Sequence, residues 1–336
     1  MMTTESSQQM NRDIIPIITV SSAAYLKYAL VMIWSVMQCG DREKRYAFYI
    51  FHDELTAEHQ AWLKTQLRSW DNCDLSFLDI RELEKVFLPK TGDWEGKSAC
   101  FSLFSVDFLQ QYDKALALDV DLIVRRDVAA LYDTELGDAL LGAVCDLDFI
   151  GQWRKGNKKY RHYYRCSVPL SDPSTYIQSG VLVLNLSGLR QRFPPGFFIQ
   201  IAAKAKYQYD DQDIWNQYCA GCIKRIDYRW NVLHDNNRYR VRYVIDLAPK
   251  AEVEQYRRSR QSPFIIHYAG DQKPWNDVGC DLGEAFWSVA NQTPVADELP
   301  SPAAKQRLPK WLQPIWLIRH ECSRIYSKLY IKMWRR

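Results

Sequence analysis

The chain has 336 residues and a formal net charge of +4, with 47% hydrophobic and 25% charged residues. That length holds one large domain or two small ones, with a core that needs no disulfide or metal staple. The slight excess of base is too weak to argue for nucleic acid, and nine scattered cysteines form no disulfide framework, which points to a reducing, cytosolic compartment. The first residues, "MMTTESSQQMNRD", are polar and lack a signal-peptide core. The longest apolar run near them, "YALVMIW", falls far short of the ~20 residues of a membrane span. The sequence therefore predicts neither secretion by this signal nor an integral membrane protein.

The predicted elements alternate strand and helix. "DIIPIITV" (13–20) reads as a buried strand, "YLKYALVMIWSVMQC" (25–39) as an apolar helix and "YAFYIFHD" (46–53) as a second strand. An amphipathic helix follows over 55–70, then a strand over 73–80. "SLFSVDFLQQY" reads as a helix, and "KALALDVD" (114–121) as a fourth strand. The stretch 151–175 is polar, basic and Tyr-rich and reads as a long surface loop. Later strands are expected over 140–147, 180–186, 223–227 and 264–269. This order implies an α/β fold, a mostly parallel sheet flanked by helices, with ligands beyond the carboxyl ends of its strands. Cys219 and Cys222 form a lone C-x-x-C with no second ligand pair, and read as ordinary half-buried thiols.

The strand "LALDVDLIV" is apolar yet carries Asp119 and Asp121. Residues two apart on a strand share a face, so the carboxylates project together with Val120 opposite. They repel unless a cation lies between them, and hard oxygen donors suit Mg²⁺, Mn²⁺ or Ca²⁺. The plain alternative is a solvated strand end, and Asp-x-Asp alone does not choose. Asp211, Gln212 and Asp213 open a helix, where the dipole favours acids. His267, taken alone, reads as a core histidine on a strand.

Five segments in order change that balance. "YDKALALDVDLIVRRDVAALYD", "YIQSGVLVLNLSGLR", "YDDQDIWNQYCAG", "IDYRWNVL" and "IIHYAGDQKPW" resemble the motifs of family-8 retaining glycosyltransferases. That family includes bacterial lipopolysaccharide glucosyl- and galactosyltransferases and glycogenin. The resemblance spans roughly residues 14 to 280. It implies a GT-A fold whose nucleotide-binding sheet carries one catalytic site. It implies metal ligation by Asp119, Asp121 and His267, normally of Mn²⁺ with Mg²⁺ as the alternative. Lys273 would add a cation at the phosphates, and Gly270 would let backbone approach them. Ser22, Tyr25 and Val120 fall at the donor, while Gln178, Ser179 and Gly180 would line the sugar pocket. Asp211 and Gln212 would face the transferred sugar as catalytic residues. The implied activity is transfer of galactose or glucose from a UDP-sugar to a lipid-linked surface glycan such as lipopolysaccharide core.

Three departures from the family pattern stand out. The usual "Asp-Asp-Asn-Tyr" before the first helix is "SSAAY", where Ala23 and Ala24 offer no side-chain hydrogen bonds. Ser102 stands where the family commonly has Arg, and Gln178 where it has Asn. The metal and phosphate ligands are intact while base recognition is thinned, so a catalytically silent or altered-donor homologue is the alternative reading. The expected organisation is a GT-A domain over 13–290, a Pro-rich linker over 291–310 and a basic-aromatic helical tail over 311–336. With Trp311, Trp316, Tyr326 and Trp334 among Arg319, Arg324 and Arg336, that tail suits an anionic membrane surface. The protein would then sit peripherally on the inner face of the cell membrane, with no nucleic-acid partner.

Overall fold

The computed structural model describes residues 14–87, 98–156, 158–170, 172–204 and 207–300. The chain divides into two compact units. The first takes the chain up to Ala143 together with Ser179–Ile226, and the second takes Val144–Gln178 together with the chain from Asp227 onward. The tail over 311–336 lies outside the described residues, as do the residues after Pro300 in the predicted linker.

The first unit is built on β1 (Ile14–Val20), β2 (Arg45–His52), β3 (Cys73–Asp79), β4 (Lys114–Leu118), β5 (Leu122–Val124), β6 (Leu141–Ala143), β7 (Val181–Asn185) and β8 (Ile223–Arg225). Among the described residues, seven of these form one sheet in the order β3-β2-β1-β4-β7-β6-β8. The pairs β3–β2, β2–β1, β1–β4 and β6–β8 are parallel; β4–β7 and β6–β7 are antiparallel. The sheet is thus mostly parallel, as the strand–helix rhythm implies. Both faces of β1, β2 and β4 are covered, so these strands read as continuous apolar runs with Ile17, Ile18, Phe48, Ile50 and Leu116 fully buried. Pro16 is tolerated in a central strand because pairing with β4 begins only at Ile17. The helix Leu26–Cys39 carries one buried polar group into this core: Ser35 Oγ accepts from Val124 N at 3.0 Å and so anchors β5.

Three elements differ from expectation. β4 stops at Leu118, so Asp119, Val120 and Asp121 form a bend between two strands instead of the end of one. The reason is pairing geometry: Leu118 is the last residue opposite β7, and Asp119 N then donates to Gly180 O at 3.0 Å. The stretch 151–175 is mainly helical, in the helices Leu147–Lys155 and Lys158–Cys166 with a short 3₁₀ turn at Pro173–Thr175. Composition concealed an aromatic period of four, Phe149–Trp153 and Tyr160–Tyr164, which is helical spacing. The segment predicted as a helix at "SLFSVDFLQQY" is a 3₁₀ helix, Ser98–Phe104, running into one α-turn, Ser105–Phe108.

In the second unit, β9 (Val232–Leu233) lies parallel to β10 (Ile265–His267). The helix Leu147–Lys155 begins where Asp146 accepts from Phe149 N and ends at Gly156 in the left-handed region, φ +88°. Phe149 stacks on Tyr176 with centroids 3.7 Å apart. Gly151 lets this helix meet the Val244 carbonyl: a Cβ there would lie 2.2 Å from Val244 O. Gly151→Ala should therefore cost about 2–3 kcal/mol, read as a lowered urea midpoint with an unchanged m-value. An unchanged midpoint would show that the backbones are not locked at this contact.

Candidate active site

At the carboxyl edge of the first unit's sheet, parallel strands β1, β2 and β4 end at Val20, His52 and Leu118, and antiparallel β7 begins. This rim carries Ser22, Tyr25, Asp119, Val120, Asp121, Ser179 and Gly180, where an open α/β sheet binds ligands. Asp119 is exposed, and Val120 and Asp121 are half-buried. The hydrogen bond from Asp119 N to Gly180 O fixes the bend to the start of β7. The next link reaches the helix Asp210–Tyr218. Ser179 N donates to Gln212 Oε1 at 3.2 Å, and Ser179 Oγ donates to Asp211 Oδ1 at 3.3 Å. Five of the predicted residues, Asp119, Ser179, Gly180, Asp211 and Gln212, are thus joined through one short segment of chain.

The helix itself starts under strain. Asp210 sits at φ +35°, an uncommon conformation for a residue with a Cβ. Behind it, Asp213 Oδ2 accepts from Tyr209 N at 3.0 Å and is fully buried. Burial, then the charges of Asp119 and Asp210, push the Asp211 carboxyl well above the usual carboxylate range, against the Ser179 and Gln212 hydrogen bonds.

The part of the rim around Ser22 and Tyr25 is sparse in hydrogen-bonding side chains. Ser22 precedes the 3₁₀ turn Ala23–Tyr25 and makes no side-chain cap. Ala23 N donates to Glu54 Oε1 at 2.7 Å. Tyr25 is 37% exposed and meets Tyr28 edge-on. Ser102 Oγ lies 3.5 Å from Ala99 O, within its own turn.

In the second unit, His267 closes β10 and is 2% exposed. Its Nδ1 lies 3.0 Å from Asn231 Oδ1, and Asn231 Nδ2 donates in turn to Gln178 Oε1. A carbonyl oxygen only accepts, so Nδ1 carries the proton and the lone pair resides on Nε2. Holding the second nitrogen in this way fixes the orientation of a ligating imidazole. Gln178 is therefore engaged with Asn231, whereas Ser179 beside it serves Asp211 and Gln212. Asn231 is the functional residue that sequence reasoning did not single out, although "RWN" was among its matched segments.

Lys273 is 9% exposed, and its Nζ donates to Tyr268 O at 2.8 Å, one residue past His267. Gly270 has φ +106°, and a Cβ there would stand 2.9 Å from Asn236 Nδ2. Glycine is required at this position by the backbone's own conformation and packing. Arg240 clamps the same turn through His234 O and Ala269 O, with Asp148 as its ion-pair partner at 2.7 Å.

The Glycosyl transferase family 8 model matches residues 16–279. The chain belongs to glycosyl transferase family 8. A relative in Haemophilus influenzae is 27% identical over 286 residues, covering 82% of this chain and 77% of its own. The lipopolysaccharide 1,2-glucosyltransferase of Escherichia coli K12 is 24% identical over 225 residues, covering 64% of this chain and 60% of its own. Among solved structures, galactosyltransferase LgtC in complex with donor and acceptor sugar analogues superposes with TM-score 0.62 at 22% identity. It covers 89% of this chain and 99% of its own. The fold of this family-8 chain is GT-A, as the motif order implies.

A carboxyl whose pKa is raised in the native state binds its proton more tightly there. Its ionisation opposes folding, and stability falls as pH rises from the unfolded-state value toward the native one. Asp211→Asn should therefore stabilise metal-free protein at neutral pH, by about 2–4 °C in Tm for each ~1 kcal/mol relieved, and the gain should shrink near pH ~4. A Tm that falls at neutral pH would show that the Asp211 charge supports the fold.

Proposed function

We propose that the protein is a retaining hexosyltransferase that moves galactose or glucose from a UDP-sugar to a lipid-linked surface glycan such as lipopolysaccharide core. Family membership supports the reaction class, and the Escherichia coli relative named a lipopolysaccharide 1,2-glucosyltransferase supports the acceptor class. The observation that carries the reading is the hydrogen-bonded series Gln178–Asn231–His267, which prepares a buried imidazole as a ligand through Nε2.

In this reading Asp119, Asp121 and His267 hold one divalent cation, Mn²⁺ or, as the alternative, Mg²⁺. Two carboxylates and an imidazole are a donor set able to hold a metal ion, and one that suits Mn²⁺. Bound there, the ion supplies Lewis-acid charge that neutralises the diphosphate and stabilises the leaving nucleoside diphosphate. Lys273 adds a point charge at the phosphates, and the Gly270 turn presents backbone to them. Ser22, Tyr25 and Val120 meet the nucleoside, and Ser179 and Gly180 line the sugar pocket, with Gln178 holding Asn231. Gln212 lies near the anomeric carbon, and Asp211 faces the sugar. An amide is a poor nucleophile, so departure and attack on the same face, through an oxocarbenium-like state, accounts for retention.

A second reading is a homologue with an altered donor or no turnover. One observation favours it: the two alanines of "SSAAY" offer methyl groups where the nucleoside should be held, and Ala23 N is already engaged by Glu54. We further propose that residues 13–290 form the catalytic domain and 291–310 a linker. The tail over 311–336 would hold the enzyme on the inner face of the cell membrane. Among the described residues, no helix is long and apolar enough to cross a membrane.

Mn²⁺-dependent release of UDP from UDP-galactose or UDP-glucose should occur, and Asp121→Ala should lower it by ~10³-fold, the scale of a lost Lewis acid. Asn231→Ala should weaken Mn²⁺ binding about 10–100-fold while leaving the fold intact. Release unaffected by Asp121→Ala would overturn the metal assignment. Nucleotide binding without release of UDP from any sugar would establish the silent homologue.

A further inference from the structure

We propose that the second unit's helical hairpin is a docking surface for an anionic saccharide, recognising phosphate or carboxylate groups on the acceptor glycan. The assignment to the acceptor rests on the proposed transferase reading; the anion-binding surface itself does not. From Phe149 to Ser171 there are six lysines and arginines and no acidic residue, in a chain whose whole net charge is +4. Two of the six serve the fold. Arg154 Nε donates to Leu247 O at 2.6 Å, and Lys155 Nζ donates to Tyr239 OH at 2.6 Å. The acids nearest in sequence are committed elsewhere. Asp146 caps Phe149 N, Asp148 pairs with Arg240, and Asp172 accepts from Ser174. Among the described residues, Lys158, Arg161 and Arg165 meet no carboxylate.

The helix Lys158–Cys166 bears a charge pattern that its own stability does not explain. Arg161 and Arg165 are like charges at i,i+4, and Lys158 stands in a first turn that holds no acid. Both arrangements cost helix stability. Yet the two guanidinium groups are organised: they lie 5.6 and 6.0 Å from the centroid of one indole, Trp153, and Arg161 Nε donates to Trp153 O at 3.0 Å. Guanidinium forks suit phosphate and carboxylate oxygens. A local pattern that opposes folding while side chains are held in place is the mark of a site. The partner is a saccharide and not a bilayer because no large apolar side chain of the hairpin is fully exposed; Trp153, Tyr160 and Tyr163 are half-buried. Phe149 and Tyr164 are buried, and the large apolar side chains exposed among the described residues, Tyr25, Tyr209 and Val278, lie elsewhere.

The test is calorimetry on the full-length protein with three probes: maltodextrin bearing phosphate monoesters, the same maltodextrin after phosphatase treatment, and vesicles of phosphatidylglycerol in phosphatidylcholine. The phosphorylated oligosaccharide should bind about tenfold tighter than its treated counterpart, with affinity falling as salt rises. Arg161→Gln combined with Arg165→Gln should remove most of that difference, and Lys158→Gln, at an exposed position that supports no packing, should lower it about threefold. Release of UDP without acceptor should be unchanged in all variants. Equal affinity for the two oligosaccharides, variants that bind as the parent does, or binding to the vesicles alone would each overturn the proposal. Phosphate-dependent binding in a protein that releases no UDP would sink the transferase reading and leave this surface standing.

Discussion

A single backbone hydrogen bond, Asp119 N to Gly180 O, organises the rim of the first unit's sheet. It lies one residue beyond the last pair of β4 with β7, Leu118 opposite Val181, where Asp119, Val120 and Asp121 leave the sheet as a bend. The same bond places Ser179, whose amide and hydroxyl then reach Gln212 and Asp211. The mostly parallel sheet beneath, through its antiparallel β4–β7 pair, sets where this bend and the Ser179–Gly180 segment begin. Burial first, and then the charges of Asp119 and Asp210, raise the Asp211 carboxyl within this group. Proteins keep such unfavourable charge where a ligand of opposite sign offsets it.

The second unit supplies a different kind of order. His267 is held at its backbone by β9 and at its ring by Asn231, and Asn231 is held by Gln178. Each member is buried, so each must be satisfied, and the series fixes one tautomer. Arg240 and Gly270 shape the turn that follows, which makes the "HYAGDQKPW" segment a structural unit in its own right. Lys273 folds back on Tyr268 O, so its ammonium stays close to the histidine's own strand.

Much of this was legible in the sequence, for identifiable reasons. Apolar runs over 14–20, 46–52 and 114–118 are largely buried, and such strands announce themselves by composition alone. Asp119 and Asp121 stood out because two carboxylates interrupt an apolar run, whereas Asp211, Gln212 and His267 were singled out only by the resemblance of their segments to the family's motifs. What escaped notice depends on partners distant in sequence. The end of β4 is set by a carbonyl 61 positions on, and the role of Asn231 by a histidine 36 positions on. The hairpin was hidden differently: its charges imitate a solvated loop, and only the four-residue spacing of Phe149, Trp153, Tyr160 and Tyr164 betrays helices.

The central claim is that Asp119, Asp121 and His267 serve one cation, with Nε2 of His267 as the nitrogen donor. Pulsed electron paramagnetic resonance of Mn²⁺ bound to the full-length protein tests this directly. One strong histidine nitrogen coupling should appear, lost in His267→Gln and kept in His234→Gln. A bound Mn²⁺ with no nitrogen coupling, or a coupling that survives His267→Gln, would contradict it.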